Sequence, residues 1–274
     1  MDLKNIQTML DELITGDSAN RLDAEIALRP ELAGLRFFDA PLIGCAAAND
    51  PLFAQMKADP AIIGPMFLTP EEWLPGAKSV VSVFFPKTEE VRQSNREGDL
   101  PSAQWLHARI EGQDFIRRAI DAITAQLRAE GFRTVVPQYD ERFALHVNDS
   151  EPSLPHCVTT WSERHAAFAA GLGTFALSKH IITEKGGCGR FGSFITDAVF
   201  SVTPRAFTDP YEYCNFCGAC VPRCPVQAIS LDGGKNVPVC KTRLDGLKPR
   251  FAPRYGCAKC QVRVPCESSR PTKK

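Results

Sequence analysis

The chain lacks a surplus of charge of either sign. Its 274 residues carry 32 Lys or Arg against 32 Asp or Glu, so overall charge alone does not draw it to nucleic acid or an acidic membrane surface. It has no apolar run long enough for a bilayer span, which excludes a helical membrane protein. The opening MDLKNIQTML has no basic start, apolar stretch and cleavage site, so the expectation is a cytoplasmic protein rather than a secreted one. In that reducing setting a disulfide framework is set aside. Internal repeats and low-complexity tracts are absent, which excludes a solenoid. Histidine is scarce: of five, only His165 falls in a stretch of functional interest, and a structural role is expected for it.

What is present in quantity is cysteine. Cys214, Cys217, Cys220 and Cys224 followed by Pro225 have the C-x2-C-x2-C-x3-C-P spacing that places three thiolates round one iron-sulfur cube and sends the fourth to another. A second set follows, with Cys240, then Cys257 and Cys260 as CxxC, then Cys266. Eight thiols suffice for two [4Fe-4S] clusters. The inferred pairing is crossed: Cys214, Cys217 and Cys220 take Cys266, while Cys224, at the start of an expected short helix PVQAI, joins Cys240, Cys257 and Cys260. Four-thiolate zinc sites also use paired CxxC motifs, but they rarely need three cysteines at two-residue intervals plus CysPro. Cys45, Cys157 and Cys188 remain, and surplus cysteines usually behave as small buried apolar residues.

Charge is unevenly shared. Residues 235 to 274 hold eleven Lys or Arg against Asp245 and Glu267, a net +9, leaving −9 for residues 1 to 234. A basic tail can be a nucleic-acid footprint. Here the cations interleave with the cysteines, which favours compensation of anionic clusters.

The first two hundred residues read as α/β. Leu3, Ile6, Leu10, Leu13 and Ile14 recur at helical spacing, with Gly16 as the expected cap. Residues 78 to 85 read as a buried strand ended by Pro86, residues 105 to 131 as a helix, and 134 to 136 as a second strand. Strand, helix, strand suggests a right-handed βαβ unit. A helix over 161 to 170, capped by Gly171, and a strand over 194 to 202 complete the pattern. Stretches 60 to 76 and 149 to 156 read as long loops. The chain therefore divides into an α/β domain, 1 to 204, and a ferredoxin-like module, 205 to 274. Gly187, Gly189 and Gly192 spell GxGxxG, but ahead of a strand instead of after one, so the dinucleotide reading fails. The backbone there is open to close approach, most simply in a tight turn.

WSERHAAFAAGLGTFALSKHIITEKGGCGRFGSFITD, Trp161 to Asp197, joined to the cysteine run, resembles the epoxyqueuosine reductase family; WLPGAKSVVSVFFP at 73 to 86 and WLHARIEGQ at 105 to 113 extend the likeness over most of the chain. That family is similar to reductive dehalogenases. The resemblance implies a nitroreductase-like, cobalamin-type α/β domain followed by a two-cluster ferredoxin module, with removal of an epoxide oxygen from a modified tRNA base as the reaction. Two electrons and a proton must meet at one carbon-oxygen bond, a task the cofactor carries while the protein positions groups and excludes water. No DxHxxG corrinoid motif occurs, in keeping with a family that binds the corrinoid without a protein ligand from below. It implies that Gly171, Gly173, Ser178, Lys179, Gly192 and Ser193 line the corrinoid pocket, and that a low-potential ferredoxin- or flavodoxin-type donor is the partner.

Several features depart from the pattern. The proton-donating position falls on Cys157, with Asp149 and Glu163 as nearby acids, so no catalytic residue is assigned. The ending after Cys266 is that of a short form without the family's tRNA-gripping helical repeats, which lowers the expectation of a tRNA partner. The last motif reads CAKCQVRVPCE. The expected function is an iron-sulfur oxidoreductase passing electrons to a cobalamin site. The alternative is a ferredoxin-like electron carrier that binds no corrinoid and docks a redox protein.

Overall fold

A strand buried on both faces organises the molecule. In the computed structural model, which describes residues 1–148, 151 and 154–272, every residue of β2 (Ser79–Pro86) is buried, in keeping with Val80, Val81, Val83, Phe84 and Phe85, interrupted by Ser82. Its neighbours in the sheet are β1 (Leu42–Ala47) on one side and β8 (Gly189–Thr196) on the other, with the short β3 (Thr134–Val135) beyond β8. All three pairings are antiparallel. The expected βαβ unit is therefore altered. The strands before and after helix α5 (Ala103–Ala129) run in the same direction, but β8 lies between them.

Alternation along β2 sends side chains to two layers. Val81, Val83 and Phe85 meet Phe115, Ile116 and Ile120 of α5 and the apolar stripe Ile6, Leu10 and Ile14 of α1 (Leu3–Gly16). Val80 faces a second cluster containing Trp73, Trp161 and Ile195, and Phe84 packs with Ala167 of α6 (Glu163–Ala169). In the second layer Trp161 stacks between Phe53 and Phe67, at 6.0 and 5.6 Å. Each buried large side chain of this kind stabilises by roughly 1.5–3 kcal/mol.

Smaller elements frame this core: α2 (Pro51–Ala58), α3 (Pro70–Trp73), α4 (Glu89–Ser94), and the hairpins β4 (Leu145–Val147) with β5 (Cys157–Thr159) and β6 (Gly173–Phe175) with β7 (Ile181–Thr183). Among the described residues, the cysteine module holds the two-residue strands β9 (Ile229–Ser230) and β10 (Gly234–Lys235), helix α7 (Val237–Phe251) and a helical turn at Lys259–Gln261.

Several boundaries differ from expectation. Gly16 is the last residue of α1, and Asp17 beyond it is extended, so no left-handed cap forms there. The strand expected at 194 to 202 begins at Gly189 and ends at Thr196, where the Thr196 hydroxyl donates to the Arg133 carbonyl and Asp197 pairs with Arg133. PVQAI is not a helix; Gln227 adopts φ 50° and the chain passes directly into β9. The stretch 60 to 76 contains α3, begun by a Thr69 and Glu72 capping box. Of the expected loop at 149 to 156, Asp149 lies outside the described residues.

Candidate metal centres and the surrounding site

Four thiols share one cavity, and three others stand close enough to Cys260 to act on its charge. Cys214, Cys217, Cys220 and Cys266 line one cavity together with Ser178, His180 and Ile182 of the α/β domain. Burial pushes the Cys266 thiol up to about 12, and the nearby Cys214, Cys220 and Cys217 add to that rise. In the other group, burial pushes the Cys260 thiol up to about 11; Lys235 opposes the rise, while Cys257, Cys240 and Cys224 reinforce it.

Local backbone chemistry explains how each set is assembled. The first loop is held on β6, where Tyr213 donates its N–H to the Thr174 hydroxyl at 2.9 Å and Phe175 donates to the Pro210 carbonyl at 2.7 Å. Phe216 and Gly218, at φ 49° and 72°, then wind the loop so that thiols at two-residue intervals turn inward. Cys266 arrives from the far end of the chain: Gly187 donates to its carbonyl at 2.8 Å, and Cys188 donates to that of Glu267 at 3.1 Å. Glu267, 5% exposed, is fixed by Arg96 at 2.8 Å.

In the second set, the Cys224 sulfur accepts from the Ala228 N–H at 3.2 Å. Cys240 stands in the first turn of α7, begun by Asn236, whose side chain accepts from the Val239 N–H. The CxxC pair is clamped to the loop after α4. Asn95 donates to the Cys257 carbonyl at 3.0 Å, and the buried Lys259 ammonium donates to the carbonyls of Asn95 and Glu97 at 2.9 and 2.7 Å. Among the described residues no three His, Cys, Asp or Glu side chains are grouped tightly enough to hold a single metal ion.

His180 joins this site although its sequence context gave no sign of it. Its Nδ1 meets the Ser178 hydroxyl at 2.6 Å, and its Nε2 lies 3.7 Å from the Cys266 sulfur. Burial, with Lys235 and Arg164 assisting, lowers its pKa to about 3, so the ring is neutral at physiological pH. The tautomer in which Ser178 donates to Nδ1 turns the Nε2–H toward the sulfur. Gly187 explains the fit, because a Cβ there would sit 2.0 Å from the His180 ring. The glycines of GxGxxG thus serve close packing rather than a cofactor or a tight turn: Gly189 abuts Phe84, and Gly192 abuts Ile116.

Of the six residues assigned to a corrinoid pocket, Ser178 lines the cavity of the first cysteine set. Gly171 ends α6 at φ 77° beneath the Thr203 and Pro204 carbonyls, and Gly173 packs against the Ile182 carbonyl. Ser178 is committed to His180 beside the first cysteine set, while Lys179, at φ 62°, is exposed. Gly192 is filled from the α5 layer, and Ser193, on the opposite face, accepts from the Trp161 indole N–H at 2.9 Å.

Beside Ser193 lies a buried carboxyl. Both oxygens of Glu163 are inaccessible to solvent, and burial raises its pKa to about 7, opposed by the neighbouring Ser193 hydroxyl and by Arg190. Cys157 is half-buried on β5. Cys45 and Cys188 are fully buried, their thiols pushed up by burial. His165 is half-buried; its Nδ1 meets the Ser162 hydroxyl at 2.8 Å and its ring packs 5.0 Å from that of Phe175.

A 4Fe-4S binding domain family matches residues 209–230, which include the whole first cysteine run. No curated protein matches the chain in sequence. Solved structures do match in fold. An epoxyqueuosine reductase from Bacillus subtilis, its catalytic loop swung out of the active site, is 21% identical over 86% of this chain and 63% of its own, with a TM-score of 0.50. An epoxyqueuosine reductase with a tRNA-Tyr epoxyqueuosine-modified stem loop is 21% identical over 98% of this chain and 68% of its own, also with a TM-score of 0.50. A catabolic reductive dehalogenase in complex with 3-bromo-4-hydroxybenzoic acid gives 18%, 84% and 30%, with a TM-score of 0.53. The chain spans less than two thirds of the Bacillus subtilis protein. It therefore carries a [4Fe-4S] binding segment on the fold common to these two groups of reductases.

Proposed function

We propose that the chain is an iron-sulfur reductase of the epoxyqueuosine reductase-like kind, moving electrons through two [4Fe-4S] clusters toward an acceptor on the α/β domain. The observation that carries this is the crossed grouping of eight thiols, with one group walled by Ser178, His180 and Ile182 of that domain. Three thiols at two-residue intervals followed by CysPro suit a four-iron cube better than zinc. The basic residues supply what two four-thiolate clusters need, positive charge close to buried anions. Lys235 acts on the second set, and the buried Lys259 stands between two of its ligands.

The first set faces the acceptor side. Cys217 is its exposed member, flanked by Phe216 and close in space to the hairpin that bears Lys179. His180 orients toward the Cys266 sulfur and excludes water from it. A corrinoid, when bound, would supply the strongly reducing centre that carbon-oxygen or carbon-halogen bond cleavage demands. Five of the six residues assigned to it are engaged in packing or hydrogen bonds and Lys179 is exposed, so no step is drawn through that group. This same observation favours the second reading, an electron carrier that hands electrons to a docked protein.

Iron and sulfide analysis of anaerobically reconstituted protein, with paramagnetic resonance on one equivalent of cob(II)alamin, tests both points. About eight irons per chain supports the two-cluster reading, and about four overturns it. A base-off cobalt signal assigns the corrinoid enzyme; an unchanged free-cofactor spectrum, with cluster signals present on reduction, assigns the carrier. A tRNA-stem-loop substrate, as in one structural neighbour, predicts salt-sensitive tRNA association. Failure to bind at low salt excludes it.

A further inference from the structure

Electrons must enter somewhere other than where they leave. The first cysteine set is walled by the α/β domain, whereas the second borders open surface. An open groove of about 470 Å³ runs between α7 and the loop after α4, with Leu100, Val226, Val239 and Leu247 as its apolar lining and Arg243 and Arg250 among its polar members. Its lining adjoins the second set along the chain: Val239 precedes Cys240, and Val226 follows Cys224 by two residues. Leu100 and Val239 are 36% and 40% exposed, an unusual cost for apolar side chains beside a redox centre unless something covers them.

The charge around this groove selects the occupant. Residues 235 to 251 carry Lys235, Lys241, Arg243, Lys248 and Arg250 against Asp245 alone. Of the acids near it, Asp245 pairs with Lys241 and Lys248, Glu97 pairs with Arg263, and Asp99 adjoins Leu100 in the chain. Asp99 holds Arg243 through its backbone carbonyl, yet the Arg243 Nε is buried without a partner. Arg250 is exposed. A second copy of the chain would bring the same positive face and be repelled.

Resting on the two-cluster reading, we infer that this groove is the docking surface for a small acidic ferredoxin-type iron-sulfur carrier, which delivers single electrons to the second cluster. The carrier's reduced iron loses one electron, the second cluster gains it, and no bond or proton is exchanged. The apolar lining seats the partner over Cys224 and Cys240, and the arginines steer and orient it.

The experiment is stopped-flow reduction of the cluster-loaded protein by a reduced acidic [2Fe-2S] ferredoxin across ionic strength. For the wild type the second-order rate is expected to fall steeply with salt. Arg250→Glu, and Arg243→Gln with Arg250→Glu, are expected to lower the low-salt rate by about tenfold or more, with iron content and the rate of reduction by dithionite unchanged. Lys4→Glu, on the exposed face of α1, leaves the rate as it was. Rates unchanged in the Arg250→Glu variant, with clusters intact, overturn the docking surface and leave the two-cluster reading standing. A wild type that binds no second cluster overturns both. If only a flavin carrier shows the dependence, or tRNA binding rather than electron transfer responds to Arg250→Glu, the assignment to an iron-sulfur carrier fails.

Discussion

The α/β domain and the cysteine module solve the problem of staying folded in opposite ways. In the first, Phe37, Phe38, Phe85, Phe115 and Phe194 are wholly buried against a strand with no exposed residue. In the second, regular structure past residue 205 amounts to two two-residue strands, one helix and a single turn at Lys259–Gln261, and buried apolar side chains are few: Phe207, Tyr213, Ala228, Ile229, Leu247, Val262 and Val264. The module instead relies on thiol placement and on polar anchors to its neighbour. These include Arg96 to Glu267, Lys259 to the loop after α4, and Arg254 to Glu111 at 2.6 Å. A domain that buries enough apolar surface tolerates loss of any one contact; a segment this poor in core depends on each cross-link.

The strongest way to break the contrast is to remove a thiol. Cys224→Ala is expected to cost the cluster built with Cys240, Cys257 and Cys260, and Cys266→Ala the other, each leaving about half the iron. Iron analysis and resonance spectra of the two variants decide it; equal loss of both clusters in each would undo the crossed assignment. Next in size is Phe115→Ala, expected to destabilise the α/β domain by about 3–5 kcal/mol. Chelation of iron should do the converse, abolishing hydrogen-exchange protection in residues 209 to 266 while β2 and α5 remain protected. Loss of protection in both together would show that the domains are one cooperative unit.

Glu163 gives a pH test inside the buried region. Its folded pKa, about 7, lies above the ordinary 4.5, so the folded state holds the proton more tightly. That contribution is complete below pH 4.5 and lost as pH rises to about 7. Relative to the wild type, Glu163→Gln should therefore gain stability across this window, by roughly 3 kcal/mol at most, read from denaturant midpoints at pH 5 and pH 8. A constant difference would show that the carboxyl is hydrated or paired. Glu267→Gln, which weakens the Arg96 pair between the two regions, should cost roughly 1–3 kcal/mol. The smallest effect is electronic. His180→Leu removes the N–H facing Cys266 and should move one cluster potential to a more negative value, seen by redox titration.

Much of the molecule was legible before folding was considered. The buried strand at 79 to 86, the long amphipathic α5 and the short helix before Gly171 follow from hydrophobic periodicity, and the metal chemistry follows from cysteine spacing. Other features were not. The extent of β8 was hidden because Gly189 and Gly192 are poor strand formers that are needed for contact with Phe84 and Ile116. The place of His180 was hidden because its partners, Ser178, Gly187 and Cys266, are spread over the chain.

By itself, then, the sequence determined which atoms can ligate iron and which segments must be buried, since ligand chemistry and hydrophobic period are local properties. Tertiary structure alone decided that β8 separates β2 from β3, that the first cysteine set stands against Ser178, His180 and Ile182 of the α/β domain, and that Gly189 and Gly192 lie against Phe84 and Ile116. Those outcomes depend on which distant surfaces meet, and packing complementarity is settled only when both surfaces are present.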